Sequence, residues 1–461
     1  MDTNEAVTTR PSEVFSEVDF GDKRLTNRLV ETLEHMTNNS MESILGATKN
    51  RNSAKGFYRL LGNIKFSIDK LTEESRKFTI KKVLEHETIL AIQDTTDINM
   101  NSHKKTEGLG YSSEHVLGIK VHSCIAITPE GLPLGLLDQS YETREKAKST
   151  LTKSEKSSRP IEEKESYRWL EMLRDSTADI PDSVNVITIC DREGDFYELY
   201  AAAMEIGKDF VIRVTHDRKT SENEKVIEKI RHTKACGQVT VNIPRNTRNN
   251  CPSRKAEMEV ACCSVNVLKP DSLNRTNVLD SIQMNIVRIS EIGVKDDIEK
   301  IEWILATNLP VTNADDAMKI VEYYVQRWKI ERFHFVLKSG CKVESIQQRN
   351  YDKITAVIFM KSVIAMFIMT ITYIGRILPD IPCNVFFDED EWKVLYKIAN
   401  KTKCVPDEPY SLADAIKYLG TLGSYKRAPS DGPPGLKSIW KGLCKLYDAL
   451  DYVRCLNLGA A

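Results

Sequence analysis

Short apolar runs rich in β-branched residues alternate along this chain with longer stretches of helical period. Residues 88–92 (TILAI) and 184–190 (VNVITIC) have the length and composition of buried strands in a sheet covered on both faces. Asp94 follows the first run after one polar residue, and Asp191 follows the second run directly. Either aspartate alone could open a turn or cap a helix. Because open α/β sheets bind ligands outside their strand ends, the pair favours a site at a sheet edge.

A second pattern lies in residues 323–338 (YYVQRWKIERFHFVLK). At the helical period, Tyr324, Arg327, Glu331 and Lys338 fall within about 60° of arc, so we expect one helix to align them in a stripe. Such a stripe alone is usually a solvated face with weak ion pairs. Together with two strand-end aspartates, its carboxylate fits a divalent-metal cage, and its cations and phenol suit phosphate oxygens.

Residues 354–374 are apolar enough to raise the question of a membrane span. Lys361 within the stretch, and a polar start to the chain without an export signal, favour a buried core helix and predict no membrane partner. The eleven cysteines are an odd number without a CxxC pair. They predict reduced thiols in an intracellular protein rather than disulfides or a zinc site.

Charge is unevenly distributed, although the formal net charge is only −1. Residues 23–65 carry eight Lys or Arg against three Asp or Glu, and residues 213–255 carry eleven against four. Local basic regions are the usual electrostatic footprint of nucleic-acid binding. The two regions indicate that more than one part of the chain contacts DNA.

Three motifs together resemble the DDE transposases of bacterial insertion sequences, in particular their YREK subgroup. The segment from Tyr324 to Lys338 has the pattern Tyr-x2-Arg-x3-Glu-x6-Lys, Asp94 opens Asp-Thr-Thr, and Asp191 opens Asp-Arg-Glu-x-Asp. The separations also agree, with 97 positions between the aspartates and 140 from the second aspartate to Glu331. The resemblance extends over nearly the whole chain and is densest at these motifs.

The resemblance implies an α/β fold with a ribonuclease-H-like catalytic core and a β-rich insertion, flanked by helical domains. We expect a helical DNA-binding domain at residues 1–70 and a catalytic domain at 71–377, with the insertion at about 214–305. A helical dimerisation domain is expected at 378–461.

The resemblance also assigns roles to individual residues. Asp94, Asp191 and Glu331 would be the catalytic ligands of two Mg²⁺ ions, for which Mn²⁺ could substitute. Tyr324, Arg327 and Lys338 would contact DNA phosphates. Trp303 would stack on a base flipped out of the DNA end, although a tryptophan between isoleucines is also typical of a core. Nearby acids are the alternatives as ligands: Asp97, Asp195 and Glu322.

The first basic region predicts a small helical module with exposed cations. Apolar residues of FGDKRLTNRLVETLEHM share one helical face, and SAKGFYRLL follows as a second helix. Arg24, Arg28, Lys55 and Arg59 are therefore candidate contacts to DNA phosphates or bases. A basic helical bundle without a binding role is the alternative.

The function expected from the resemblance is cut-and-paste transposition in the bacterial cytoplasm, in association with the nucleoid. The steps would be nicking at the transposon end, hairpin formation and opening, and strand transfer. The partners would be double-stranded DNA, as transposon ends and target, and a second copy of the chain in a paired-end complex. Two alternatives remain: a metal-dependent nuclease that cuts without joining, and a non-catalytic regulator that occupies transposon ends.

Overall fold

The structure is a computed structural model that describes residues 10–145, 159–243, 254–271, 273, 278–294, 300–426 and 432–458. Its chain divides into two compact units. The first unit comprises Met1–His86, Thr95–Lys148 and Lys329–Ala461, and the second comprises Glu87–Asp94 and Ser149–Trp328.

The strands form a mixed sheet of nine within the described residues, in the order β3-β2-β1-β4-β5-β9-β8-β7-β6. Strands β1, β4 and β5 are parallel to one another, whereas the pairs β2–β3, β5–β9, β9–β8, β8–β7 and β7–β6 are antiparallel. The strands are β1 (Thr88–Asn99), β2 (Gly118–Ile127), β3 (Pro133–Glu142), β4 (Asn185–Cys190), β5 (Asp209–Arg213), β6 (Gly237–Ile243), β7 (Arg254–Leu268), β8 (Ser281–Glu291) and β9 (Glu302–Thr307).

The α-helices precede, interrupt and follow the sheet along the chain. They are α1 (Pro11–Val14), α2 (Lys23–Asn38), α3 (Ile44–Thr48), α4 (Arg51–Leu61), α5 (Ile68–Val83), α6 (Tyr167–Thr177), α7 (Tyr197–Glu205), α8 (Val226–His232), α9 (Ala314–Val325), α10 (Trp328–Phe335), α11 (Tyr351–Ile377), α12 (Glu389–Asn400), α13 (Leu412–Leu422) and α14 (Leu436–Leu458).

The core of the second unit explains why its strands are almost continuously apolar. Every residue of β4 after Asn185 is buried, as expected for a parallel strand covered on both faces. On one side, Trp169 of α6 and Tyr200 of α7 join Phe210 of β5 in a single hydrophobic cluster that continues to Ile286 of β8. This packing holds the ends of β4 and β5 in fixed positions.

Helix α11 is the central helix of the first unit. It is long and apolar enough to cross a membrane by length and composition alone, but its most apolar window is completely buried in protein. Its one buried lysine, Lys361, donates hydrogen bonds to the carbonyl oxygens of Cys341 at 2.6 Å and Ser40 at 3.4 Å. The interpretation of residues 354–374 as a core helix agrees with this burial.

Two local predictions are corrected by the structure. Strand β1 does not stop before Asp94 but continues to Asn99, so Asp94 lies within a strand. The segment 323–338 is not one continuous α-helix: α9 ends at Val325, α10 starts at Trp328, and Val336–Gly340 forms a π-helical turn. Helical periodicity alone does not report such breaks, because the residues on both sides keep helical spacing.

Candidate active site

Asp94, Asp191 and Arg213 lie in one row across three neighbouring parallel strands. At the ends of the paired segments, Ile92 of β1 lies opposite Ile189 of β4, and Cys190 of β4 lies opposite Ile212 of β5. Continuing each register aligns Asp94 with Asp191, and Asp191 with Arg213. Side chains at one register position of a parallel sheet share a face, with strands about 5 Å apart. The sheet therefore carries both aspartates and a guanidinium side by side.

The backbone fixes Asp191 at the point where β4 ends. Its conformation is still extended, and its carboxylate accepts a hydrogen bond of 2.8 Å from the backbone N–H of Glu193. That bond closes the turn that starts the short 3₁₀ helix of residues 192–194. Asp191 is therefore both the cap of this turn and a partly exposed carboxylate at the sheet edge.

An arginine lies beside Asp94. The guanidinium of Arg327 is 3.5 Å from the Asp94 carboxylate, and the two side chains are only 12% and 17% exposed. Arg327 occupies the junction between α9 and α10, where its backbone N–H donates to the carbonyl of Tyr324 at 3.0 Å. The helix break thus aims Arg327 at the strand that carries Asp94.

Tyr324, Arg213 and Trp303 form the adjoining wall. The rings of Trp303 and Tyr324 meet edge to face with centroids 5.3 Å apart, and the Arg213 guanidinium lies 6.0 Å from the Trp303 ring centre. Arg213 also donates a hydrogen bond to the Tyr324 hydroxyl. Burial raises the pKa of Tyr324, and the negative charge of Asp191 raises it further. The cations Arg327 and Arg213 partly offset this increase. The phenol is therefore a neutral donor near Asp191.

Sequence reasoning did not assign Arg213 to the site; it entered only as one cation of a basic region. Burial lowers the pKa of the Arg213 guanidinium, and Tyr324 raises it. The neighbouring cations Arg192 and Arg327 lower it further. A signal was available, because β5 is a third apolar run that ends in a charged residue. Placing that strand next to β4 requires the sheet order, which the sequence does not state.

Glu331 and Lys338 belong to the first unit. Glu331 lies in the first turn of α10 and is partly exposed, and Lys338 lies in the π-helical turn. Among the described residues, no group of three or more His, Cys, Asp or Glu side chains is gathered closely enough to form a metal centre. The joint role of Glu331 with the two aspartates therefore stays a prediction.

The alternative acids have other roles in the structure. Asp97 is 3.0 Å from the ammonium of Lys120, and Glu322 is exposed on α9. Asp195 is buried, and its carboxylate accepts hydrogen bonds from the Tyr200 hydroxyl at 2.6 Å, from the backbone N–H groups of residues 215 and 216, and from Arg218. Because its oxygens are already occupied, Asp195 is poorly suited to bind a metal.

The cations predicted to contact DNA lie on α2 and α4. Arg24 is 90% exposed and pairs with Asp22 at 2.9 Å, whereas Arg28 pairs with Glu31 at 2.8 Å. Lys55 and Arg59 are exposed on α4. Helix α4 approaches α2 closely at Gly56, where a β-carbon would lie 2.9 Å from the Arg28 side chain. The two helices therefore bring these cations together in the first unit.

The donor set around the aspartates suits a hard divalent cation. Carboxylate oxygens are preferred ligands of Mg²⁺, which also keeps several waters, and both aspartates are partly open to solvent. Arg327 lies beside Asp94, and its positive charge offsets the negative charge of this carboxylate. Asp94 and Asp191 thus fit two ligands of a metal site, and neither fits a core position.

Three family models match successive parts of the chain. Residues 11–66 match the model described as Transposase DNA-binding, residues 163–368 match Transposase DDE domain, and residues 363–456 match Transposase Tn5 dimerisation domain. The DDE match includes Asp191, Trp303 and Glu331, whereas Asp94 precedes it. The mixed nine-stranded sheet fits the ribonuclease-H-like core expected of such a domain.

One similar solved structure is described as the cryo-EM structure of piggyBac transposase synaptic complex with hairpin DNA (SNHP). It has 8% sequence identity and a TM-score of 0.35, covering 94% of this chain and 73% of that chain. At this level of similarity, it supports no conclusion about the present chain.

Proposed function

Because the chain belongs to the Tn5-like DDE transposases, which transfer phosphoryl groups on nucleic acid, we propose that it carries out cut-and-paste transposition. It would bind the ends of a transposon, cleave them, and join them to a target. The observation that supports this most strongly is the row of Asp94, Asp191 and Arg213 with Arg327 beside it. Carboxylates for a metal and cations for phosphate occur together there.

Asp94, Asp191 and Glu331 would together hold two Mg²⁺ ions, with Mn²⁺ as a substitute. Bound ions of this kind would activate the attacking hydroxyl and stabilise the leaving 3′ oxygen. Before DNA binds, Arg327 supplies a positive charge beside the Asp94 carboxylate. The strand register would place both carboxylates on the same side of the sheet.

The cations and the phenol would position the DNA backbone. Arg327 and Lys338 would neutralise phosphate charge beside the scissile bond, and Arg213 would fix the Tyr324 hydroxyl to donate a hydrogen bond to a phosphate oxygen. Trp303 lies half-buried against Tyr324 and Arg213, which would hold its ring as a stacking surface for an extrahelical base. These roles follow from the contacts that orient each side chain.

The finer steps are part of the proposal. Each end would be nicked, closed into a hairpin, reopened and transferred, within a complex of two protein copies and two transposon ends. Residues 1–70 would bind the ends, 71–377 would perform the chemistry with a β-rich insertion at about 214–305, and 378–461 would pair the copies. The reaction would take place in the bacterial cytoplasm, at the nucleoid.

The decisive experiment uses DNA with the inverted repeats that flank the gene. We expect Asp94→Ala, Asp191→Ala and Glu331→Ala each to abolish Mg²⁺-dependent cleavage, because the charge that holds the ions is lost. Binding of the same ends, measured by gel shift without metal, should stay near the wild-type level. Asp97→Ala, which removes a neighbouring carboxylate already paired with Lys120, is the matched control and should cleave normally. Cleavage at the wild-type rate by any one of the three variants would remove that residue from the ligand set.

A second measurement does not depend on knowing the DNA sequence. Fe²⁺ bound in place of Mg²⁺, with ascorbate and peroxide, cuts nearby protein backbone. We expect cuts close to residues 94, 191 and 331 in the wild type, all suppressed by excess Mg²⁺. Cuts near 94 and 191 without cuts near 331 would show that Glu331 does not share the site.

The two alternative functions make different products. A nuclease that does not join would cut the ends but yield no strand-transfer product from a pre-cut end. A regulator without catalysis would bind the ends and give neither product. Formation of joined products from pre-cut ends therefore separates transposition from both alternatives.

A further inference from the structure

Three cations and two aromatic rings lie together on α10 and α11 of the first unit. The ammonium of Lys329 is 3.4 Å from the ring centre of Tyr373, and the guanidinium of Arg376 is 5.1 Å from the same centre. Arg332 lies 4.9 Å from the ring centre of Phe335. These five residues are called the basic-aromatic patch below.

The charges of the patch are not balanced by acids. Among the residues that the structure describes, no carboxylate pairs with Lys329, Arg332 or Arg376. Burial, and then the charge of Arg376, lower the pKa of Lys329 to about 8, and Arg376 in turn lies in the field of Arg332. Three cations that repel one another leave a concentrated positive potential, which an anion would relieve.

The patch is also more rigid than a typical set of surface cations. Arg376 donates a hydrogen bond of 2.8 Å to the carbonyl of Pro434, and Tyr373 holds Lys329 by its ring. Packing of Phe335 against Trp440, with ring centres 5.3 Å apart, fixes the ring beneath Arg332. Side chains that are already ordered lose less entropy when they bind a ligand.

The patch points away from the acidic residue of the same helix. On α10, Lys329 lies about 160° and Arg332 about 100° around the axis from Glu331. The two cations of α10 are therefore not simply the counter-charges of Glu331 on the same helix. A cluster of cations on one face is the usual electrostatic footprint of a surface that binds a nucleic-acid backbone.

We propose that the basic-aromatic patch binds the phosphate backbone of duplex DNA, at a point separate from the phosphodiester that is cut. The inference rests on the proposed function, because it takes DNA as the ligand. It adds a further surface that contacts DNA. Lys329, Arg332 and Arg376 each contact a phosphate, and the rings of Tyr373 and Phe335 hold the cations in place. Binding there is independent of base sequence, because phosphate contacts carry no sequence information.

The experiment measures how duplex binding by the full chain depends on salt, without divalent metal. The variant K329Q/R332Q/R376Q is compared with K77Q/K393Q/K417Q, in which each lysine already pairs with a carboxylate of the first unit. Each lost phosphate contact lowers the slope of log K against log salt by about 0.9. We expect the patch variant to lose about two to three in slope with a mixed-sequence duplex, and the matched control to keep the wild-type slope.

A charge-retaining variant guards against misfolding. K329R/R332K/R376K should keep most of the slope, and thermal unfolding should show all variants to be folded. The proposal is overturned if the patch variant keeps the wild-type slope, or if the control loses as much. Loss of slope in a protein that cuts no transposon end would refute the proposed function alone. A kept slope in a protein that cuts normally would refute the patch alone.

Discussion

At the scale of single residues, the site depends on which side chains share a register position. Asp94 and Asp191 are held by neighbouring strands, whereas Arg213 and Arg327 supply the positive charge around them. Tyr324 lies in the field of both sets, because the charges of Arg327, Arg213 and Asp191 all act on its hydroxyl. A change at any of these residues should therefore alter chemistry more than folding.

Arg213 offers the first test at this scale. In Arg213→Gln, the hydrogen bond to Tyr324 and the cation beside Trp303 are lost. The side chains that we propose to contact phosphate then lose both positive charge and order. We expect cleavage to fall by about tenfold to a hundredfold, the equivalent of about 1.4–2.7 kcal/mol of transition-state stabilisation. Initial rates with saturating DNA give this value. Arg231→Gln removes an exposed cation paired with Glu302, and an equal loss in that variant would contradict a specific role for Arg213.

His334 provides a test that depends on pH. Burial, and then the charge of Lys338, lower the pKa of this histidine to about 3, so it is neutral in the folded protein. The unfolded chain binds the proton near the ordinary pKa of about 6.5. The contribution of the neutral histidine to stability should therefore be complete above about pH 6.5. It should be lost as the pH falls from about 6.5 toward 3, by up to about 1.4 kcal/mol per pH unit.

The measurement is denaturant unfolding of wild type and His334→Phe between neutral and mildly acidic pH. The phenylalanine cannot titrate, so its free energy of unfolding should decline less steeply. His232→Phe, at an exposed position of α8, serves as the control and should follow the wild type. Parallel curves for wild type and His334→Phe would show that this histidine does not govern the acid response.

At the scale of elements, the parts that sequence patterns predicted well are those set by local periodicity. The apolar runs before Asp94 and Asp191 are strands, and the stretch around Lys361 is a buried helix. What could not be predicted depends on long-range pairing. The extension of β1 past Asp94 and the placement of Arg213 beside Asp191 both require neighbouring strands that are distant in sequence.

The break between α9 and α10 was missed for a related reason. Helical spacing continues through Gln326 and Arg327, and neither a proline nor a glycine marks the junction. The chain nevertheless leaves the helix there and Arg327 contacts Asp94. The spacing of the motif residues therefore does not reveal the break in the backbone that presents them.

Close packing of α13 against α14 gives the test at this scale. A β-carbon on Gly442 would lie 2.0 Å from the carbonyl oxygen of Leu419, which is backbone and cannot move aside, whereas one on Gly435 would meet nothing within 4 Å. We expect Gly442→Ala to separate the two helices and to lower the free energy of unfolding by about 1–3 kcal/mol or more. Gly435→Ala should have little effect.

Chemical denaturation measures the stability, and sedimentation measures self-association of the same two variants. Residues 363–456, which match the dimerisation model, include α13 and α14 up to residue 456. Loss of self-association should therefore accompany the loss of stability in Gly442→Ala. Equal stability of the two alanine variants would mean that α13 and α14 are not in contact at this glycine.

At the scale of the whole molecule, a net charge of −1 hides a strongly uneven distribution. The residues that match a DNA-binding model, 11–66, are distinct from those that match the DDE model, 163–368. The first basic region, residues 23–65, lies within the part that matches the DNA-binding model, whereas DNA contact by residues 213–255 stays a prediction. Sequence composition could not show that Lys329, Arg332 and Arg376 meet, since they come from two helices.

If DNA binding and the metal site use different parts of the chain, a variant should be able to lose one without losing the other. The variant K55Q/R59Q removes two exposed cations from α4 and should weaken binding of transposon ends by about tenfold or more, since each phosphate contact contributes to affinity. Fe²⁺-dependent cutting of the protein near residues 94 and 191 should be unchanged. Anisotropy with labelled ends measures the first effect and mass mapping the second. Wild-type end affinity in this variant would exclude α4 as a binding helix.

The ion pair between Arg327 and Asp94 has a consequence for how the ligands depend on one another. In the proposed reaction, a divalent cation would take over the Asp94 carboxylate, and the guanidinium that neutralises it in the resting protein would become available to a phosphate. DNA and cation would then each make the other's arrival more favourable, and linkage requires the two enhancements to be the same factor. Titrating the cation with and without DNA, and DNA with and without an inert cation such as Ca²⁺, would reveal that reciprocity or its absence.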